Sequence, residues 1–215
     1  MIDRSRTGGL TYVDSGLIRK LTVYAGAPGE LRWQVDVGDE ELGRPDSAAC
    51  WTRYRIDDNL VGGSDGKHSR NWTNYPWPVS GGGLDPALIE DVRRFAPIML
   101  WFLRDRHDLG LILLAGDEAP TSSLMVRDGV EATRWSGGAA GLVQAMILAR
   151  SASDPQLEAL AVAKLDRMRE QEVHGFGGSF AEAVGHWAER EVAWSPVDIS
   201  DLVALGRKKG RSRNR

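Results

Sequence analysis

Residues 81–116 place the strongest constraint on the fold, because they combine helix-start signals, a long apolar pattern and a proline. Asp85 is a favourable N-cap residue, and Pro86 suits the first helical position, where the N–H that it lacks would have no partner. Apolar residues then recur at helical spacing until Pro97 interrupts them by removing a hydrogen bond. We therefore predict a helix with a kink near residues 93–97.

The segment after this helix is predicted to continue into the core. Residues 98–103 are apolar on every side, and residues 104–108 form a charged cluster that ends the helix. Residues 109–115 form an apolar run of strand length, which predicts a buried strand. Asp105, His107 and Asp108 carry groups that bind metals or transfer protons, but a charged connector is the preferred interpretation and no metal site is predicted.

Strand patterns lie on both sides of the helix, at residues 17–24, 31–37, 50–56, 121–127 and 130–135. The first two are predicted to form an antiparallel hairpin, and residues 31–37 alternate so cleanly that one face should be buried. Asp128-Gly129 between the last two is a strong hairpin signal. Residues 1–16 are rich in small and charged residues, so we expect a loosely held arm.

From Ser136 onward the pattern becomes helical. Helices are expected to start near Asp154, Ser179 and Ser195, and residues 174–179 are predicted as a plain turn between two of them. Four of the tryptophans are assigned to the core, namely Trp33, Trp101, Trp135 and Trp187.

These patterns predict one α+β domain over residues 1–206, β-rich over 17–135 and helical over 138–206. An antiparallel or mixed sheet of about five to six strands is packed by the Pro-kinked central helix and by a C-terminal layer of three to four helices. The alternative is a division near Ser136 into a β-rich half and a helical half.

Composition narrows the class of protein. The chain has 215 residues, of which 42% are hydrophobic and 27% charged, values typical of a globular protein. Cys50 is the single cysteine, which excludes an intramolecular disulfide and fits a reducing compartment. The start of the chain has no signal-peptide pattern, and residues 98–103 are too short an apolar run to span a bilayer. We therefore predict a cytoplasmic protein without membrane contact.

The net charge of −3 conceals an asymmetry. Residues 207–215 contain six of the 27 Lys and Arg residues and none of the 30 Asp and Glu residues, which leaves the body with a net charge of −9. The basic residues are Arg207, Lys208, Lys209, Arg211, Arg213 and Arg215. We predict a flexible tail, either a solvated terminus or a contact for nucleic acid or an acidic partner.

Residues 57–83 form an unusually long polar loop, a type of segment that is often functional. The loop contains the aromatic residues Trp72, Tyr75 and Trp77. Such residues are typical of a binding interface, but they could equally cover the open edge of the sheet. His68 could act as a general base that the carboxylate of Asp58 or Asp65 orients, as in a catalytic site. A Gly-rich loop, however, does not hold these side chains in a fixed geometry.

Two hypotheses about function follow. The preferred one is a non-catalytic binding or adaptor protein that contacts a macromolecular partner through Trp72, Tyr75 and Trp77 and the basic tail. It requires no cofactor, its partner is a protein, and nucleic acid is possible through the tail. The alternative is a small hydrolase or nuclease that uses His68 with Asp58 or Asp65. The sequence does not define the oligomeric state.

Overall fold

The computed structural model describes residues 8–25, 28–42, 52–56, 77–78, 86–115, 126–127, 130–134, 138–170, 174–175, 178–192, 195 and 197–210. The chain divides into two compact units. Unit 1 comprises Met1–Gly38, Trp51–Arg104 and Pro120–Thr133, and unit 2 comprises Asp39–Cys50, Asp105–Ala119 and Arg134–Arg215. That residues 1–206 behave as one domain stays a prediction.

Strands and helices are both present in the described residues. In chain order they are β1 Gly8–Asp14, β2 Leu17–Ala25, β3 Glu30–Asp39, β4 Thr52–Ile56, β5 Trp77–Pro78, α1 Pro86–Leu100, α2 Arg106–Ala115, β6 Val126–Arg127, β7 Val130–Arg134, α3 Gly138–Ser151, α4 Pro155–Glu170, β8 His174–Gly175, β9 Gly178–Ser179, α5 Phe180–Val192 and α6 Ser200–Gly210. The α+β class is confirmed. The described strands form sheets of four, three and two strands, so one sheet of five to six strands is not confirmed.

The four-stranded sheet has the strand order β1-β2-β3-β5. β2 and β3 are neighbours in it, as the sequence predicted. The expected loose arm is wrong for β1, which pairs antiparallel with β2 from Gly8↔Val23 to Asp14↔Leu17. Ser15 and Gly16 join these strands with φ values of 53° and 79°, the two positive values of a type I′ turn. Gly16 is therefore a hairpin signal that the sequence analysis missed.

Unit 1 buries one face of β3, and α1 packs on β2. Trp33, Val35 and Val37 are buried, as the alternating pattern predicted. α1 begins at Pro86, as predicted, and buries apolar side chains along one stripe, including Phe95. Helical backbone continues through Pro97 to Leu100, and the predicted kink stays a prediction.

The predicted strand at residues 109–115 is wrong, because these residues lie in α2. Asp105 starts this helix: its side chain accepts from the N–H of Asp108 at 2.9 Å, and its carbonyl accepts from the N–H of Leu109 at 3.2 Å. The charged cluster therefore begins a helix and does not end one. A short run that is apolar on all sides fits a buried helix as well as a buried strand, so its periodicity does not decide between them.

Unit 2 is built around α3, which is buried over residues 139–149. α2, α4 and α5 pack on it, and α6 packs on α5. α4 begins after Asp154 and α5 after Ser179, as predicted, whereas α6 begins at Ser200 and not near Ser195. Residues 174–179, predicted as a plain turn, contain the hairpin of β8 and β9.

A three-stranded sheet with the order β4-β7-β6 completes the described strands. β4 confirms the strand predicted at residues 50–56 for the part that the structure describes. β6 and β7 pair antiparallel with Arg127↔Val130 in register, which leaves a loop of two residues between them. The hairpin predicted from Asp128-Gly129 is thereby confirmed.

Candidate functional site

A buried arginine fixes the end of α1 in unit 1. Arg19 lies on β2 with only 1% of its surface exposed, and its guanidinium donates to three main-chain carbonyls. Nη1 donates to Leu100 O at 2.6 Å and to Leu103 O at 2.7 Å, while Nη2 donates to Arg104 O at 3.2 Å. Carbonyls at a helix C-terminus have no partner within the helix and carry partial negative charge, so a cation is favourable there.

Trp101 is the first residue after α1, and its ring lies above this guanidinium. The Arg19 Cζ atom is 4.7 Å from the ring centroid, a distance typical of a cation–π contact. Tyr12 meets the same tryptophan edge to face, with the ring centroids 5.4 Å apart and the planes at 63°. Because β1 places Tyr12 directly opposite Arg19, the sheet register positions all three side chains together.

These aromatic rings are held in place and yet exposed to solvent. Trp101 is 50% exposed, Tyr12 is 53% exposed, and Leu10, two residues before Tyr12 on the same face of β1, is 74% exposed. We call Leu10, Tyr12 and Trp101 the aromatic edge. Clustered exposed apolar side chains mark binding sites more often than single ones do. The assignment of Trp101 to the core was wrong, because α1 ends just before it.

The other tryptophans assigned to the core have mixed outcomes. Trp33 is 2% exposed, which confirms its assignment. Trp187 on α5 is only half-buried, with the Arg190 Cζ atom 4.6 Å from its ring centroid and His186 at its edge. Trp135 lies outside the described residues.

The residues predicted for partner binding lie mostly outside the part of the chain that the structure describes. This holds for Trp72, Tyr75, Arg211, Arg213 and Arg215, and for the alternative catalytic residues His68, Asp58 and Asp65. The backbone of Trp77 is described in β5, where it pairs with Leu31 of β3 at the sheet edge opposite β1.

The described part of the basic tail is helical. The backbone of Arg207, Lys208 and Lys209 continues α6 to Gly210. That residues 207–215 are flexible stays a prediction.

The charged residues at the start of α2 form pairs in unit 2. Arg106 Nε donates to Asp39 Oδ2 at 2.7 Å, and the Asp39 side chain is fully buried. Burial raises the pKa of this carboxyl, and the hydrogen bonds from Arg106 and from the Glu41 N–H oppose that rise. The carboxylate of this ion pair is withdrawn from water while Arg106 keeps 18% of its side chain exposed, an arrangement that indicates a structural role.

The next residue of α2 belongs to an imidazole–carboxylate pair. His107 Nδ1 and Asp154 Oδ2 are 2.6 Å apart, and Asp154 Oδ1 also accepts from the N–H of Leu157 at 2.9 Å. That backbone hydrogen bond is the main reason why the pKa of Asp154 is lowered, and the His107 contact adds to it. Because Asp154 caps α4, we interpret the pair as a link between α2 and α4.

Similarity to known proteins points to no further site. A comparison with protein-family models, with curated proteins and with solved structures found no significant match. Within the described ranges, no group of three or more His, Cys, Asp and Glu side chains is placed to hold a metal ion. Among the same residues, no helix is both long and apolar enough to cross a membrane. The aromatic edge is thus the strongest candidate site.

Proposed function

We propose that this is a non-catalytic binding protein that contacts a protein partner through the aromatic edge. The observation that carries the proposal is the tryptophan at position 101, which stays half exposed although Arg19 and Tyr12 fix its ring. Tryptophan and tyrosine are enriched among the residues that dominate binding energies. A ring that is already oriented loses little conformational freedom when a partner covers it, so more of the burial energy contributes to affinity.

Two further segments supply separate contacts in this proposal. Trp72, Tyr75 and Trp77 supply a second aromatic contact, distinct from the aromatic edge, since the backbone of Trp77 pairs with Leu31 at the opposite edge of the sheet. The basic residues from Arg207 onward supply contacts to an acidic partner or to nucleic acid. The single cysteine, Cys50, fits a cytoplasmic partner.

Site-specific photo-crosslinking tests the proposal in cells that produce the full chain. A photoreactive side chain at Leu10 should form adducts with a protein, while the same group at Ile89, an exposed apolar residue on α1, should not. Mass spectrometry identifies each adduct. Equal yields from the two positions, or no adduct from Leu10, would refute binding at the aromatic edge.

Affinity for the identified protein can then be measured with a matched pair of variants. Trp101→Ala removes the exposed ring, and Trp187→Ala removes a tryptophan that also stacks on an arginine but lies on α5. A hot-spot residue contributes at least about 2 kcal/mol, so Trp101→Ala should weaken binding about 30-fold or more. Trp187→Ala should leave the affinity unchanged. The reverse order would place the interface on α5.

The role of the tail needs substitutions and not truncation, because removing residues 207–215 would also remove the end of α6. Changing Arg207, Lys208 and Lys209 to Gln keeps good helix formers and removes three charges. If the tail contacts nucleic acid, titration with single-stranded and duplex oligonucleotides should show salt-sensitive binding that these changes reduce. Binding that is insensitive to salt and to the substitutions would exclude an electrostatic role for these three residues.

A further inference from the structure

The outer side of β1 is an open sheet edge in the described part of the chain. β1 is the terminal strand in the order β1-β2-β3-β5, and each of its seven residues is exposed or half-exposed. Edge strands that avoid pairing commonly carry Lys or Pro. The sequence of β1, GGLTYVD, contains neither, and its only charge is Asp14 at the end of the strand.

The turn defines which main-chain groups of β1 face this open edge. In a hairpin with a two-residue turn, the residues that flank the turn form a hydrogen-bonded pair, here Asp14 and Leu17. Hydrogen-bonded and non-hydrogen-bonded pairs then alternate along the strands. Tyr12 therefore directs its N–H and C=O to β2, whereas Gly9, Thr11 and Val13 direct theirs outward.

We propose that β1 pairs antiparallel with β1 of a second copy of this chain, with Thr11 opposite the partner's Thr11. The inference rests on the proposal that the aromatic edge binds protein, and it names one such partner. This register joins all the outward-facing residues in hydrogen-bonded pairs, Thr11 with Thr11 and Gly9 with the partner's Val13. In any other antiparallel register centred on a residue of β1, at least one of the outward-facing residues is left without a partner, because only Thr11 lies midway between Gly9 and Val13.

Side chains and charges fit the same register. Leu10 lies opposite the partner's Tyr12 in a non-hydrogen-bonded pair, where side chains approach most closely. Asp14 lies opposite the partner's Gly8, so no like charges face each other. The two-fold axis is perpendicular to the sheet, so the face of the sheet that carries Trp101 points to the same side in both copies. Both copies of Trp101 therefore lie on one continuous surface. The charge pattern and the apolar pairs thus favour a second copy as the occupant.

Sedimentation velocity of the full chain tests this pairing from micromolar to millimolar concentration. The unchanged protein should form a concentration-dependent dimer. Thr11→Lys and Thr11→Glu each place two like charges at the two-fold axis and should raise the dimer dissociation constant at least about tenfold. An equimolar mixture of the two variants should restore dimerisation, because opposite charges then meet. Val13→Lys adds the same charge on the same face but opposite the partner's uncharged Gly9, so it should weaken the dimer much less than Thr11→Lys does.

Amide hydrogen exchange supplies a second readout within one strand. The Thr11 N–H should be exposed at low concentration and protected at high concentration, whereas the Tyr12 N–H should be protected throughout. A protein that stays monomeric at millimolar concentration, or a dimer that Thr11→Lys and Val13→Lys weaken equally, would overturn the pairing. A monomer whose Leu10 position still crosslinks to a different protein would overturn this inference alone and leave the proposed function standing.

Discussion

Replacing Arg19 tests how unit 1 holds the end of α1 and the tryptophan that follows it. Arg19→Met keeps most of the buried length of the side chain but removes its donors to Leu100, Leu103 and Arg104. A hydrogen bond from a charged donor contributes about 1.5–3 kcal/mol. The two contacts at 2.6 and 2.7 Å are short, and the third at 3.2 Å is longer. Because the guanidinium is released from a desolvated site, part of this loss is offset. We expect a net loss of about 3–5 kcal/mol.

The assay is urea denaturation of the full chain, with hydrogen exchange used to assign the loss to the amides of α1 and β2. Arg94→Met is the matched control, since Arg94 is an exposed arginine whose Cζ lies 5.1 Å from the centroid of the Phe95 ring. Its effect should stay within about 0.5 kcal/mol. Arg19→Lys should fall between the two, because one ammonium cannot reproduce the planar fork of the guanidinium. Equal stabilities of the Arg19→Met and Arg94→Met variants would refute the capping role.

Three further predictions concern unit 2. Arg106→Met leaves the fully buried Asp39 without its cation and should cost about 3–5 kcal/mol near neutral pH. Burial already raises the pKa of Asp39, so the cost should shrink as the pH falls and the carboxyl takes up a proton. Gly110→Ala gains about 1 kcal/mol of helix propensity but places a Cβ too close to Leu157 Cδ2. Overpacking costs about 1–3 kcal/mol, so the change should be destabilising by up to about 2 kcal/mol overall. Asp154→Asn keeps a good N-cap but removes the charge. In the unchanged protein the lowered pKa of Asp154 contributes stability above the ordinary carboxyl pKa, and this stability is lost as the pH falls through the lowered pKa. The asparagine variant should lack this contribution.

Two of these predictions have a control variant, and the third is checked by its pH dependence. Asp39→Asn combined with Arg106→Met should recover much of the lost stability, because no buried charge remains. Leu157 is fully buried and its side chain is what the new methyl group would meet, so Leu157→Ala should make Gly110→Ala less harmful in a double-mutant cycle. For Asp154→Asn, thermal unfolding below about pH 4 should show a smaller acid effect than in the unchanged protein. Parallel pH curves would contradict the assigned role of Asp154.

Local sequence signals predicted the parts of the fold that local chemistry determines. The alternation in β3, the Asp128-Gly129 hairpin and the starts of α4 and α5 all depend on residues within a few positions of one another. The strand expected at residues 109–115 failed because an apolar run carries no period. Asp105, the N-cap that makes it a helix, had been assigned to the preceding helix.

The candidate site could not be predicted in this way, because non-local contacts create it. Arg19 reaches the carbonyls of residues 81 to 85 positions further along the chain, and that contact accompanies the end of α1 at Leu100. Because its neighbours in sequence are apolar, Trp101 was predicted to lie in the core. It is exposed because α1 ends at Leu100, which the local sequence pattern does not show. The Gly16 turn was the one local signal for the site, since it aligns Tyr12 with Arg19.

Arg19 therefore contributes both to stability and to the proposed interface. Substitutions of Arg19 and of Trp101 should distinguish these two contributions. Loss of Arg19 should weaken both, because the guanidinium holds the end of α1 and also lies beneath the ring of Trp101. Loss of Trp101 should weaken binding but lower stability much less than loss of Arg19 does, because half of that ring is already in water and its removal leaves the carbonyl contacts of Arg19 in place. If Trp101→Ala lowered the free energy of unfolding as much as Arg19→Met does, the ring would serve as a cover for the buried cation and not as a contact for a partner.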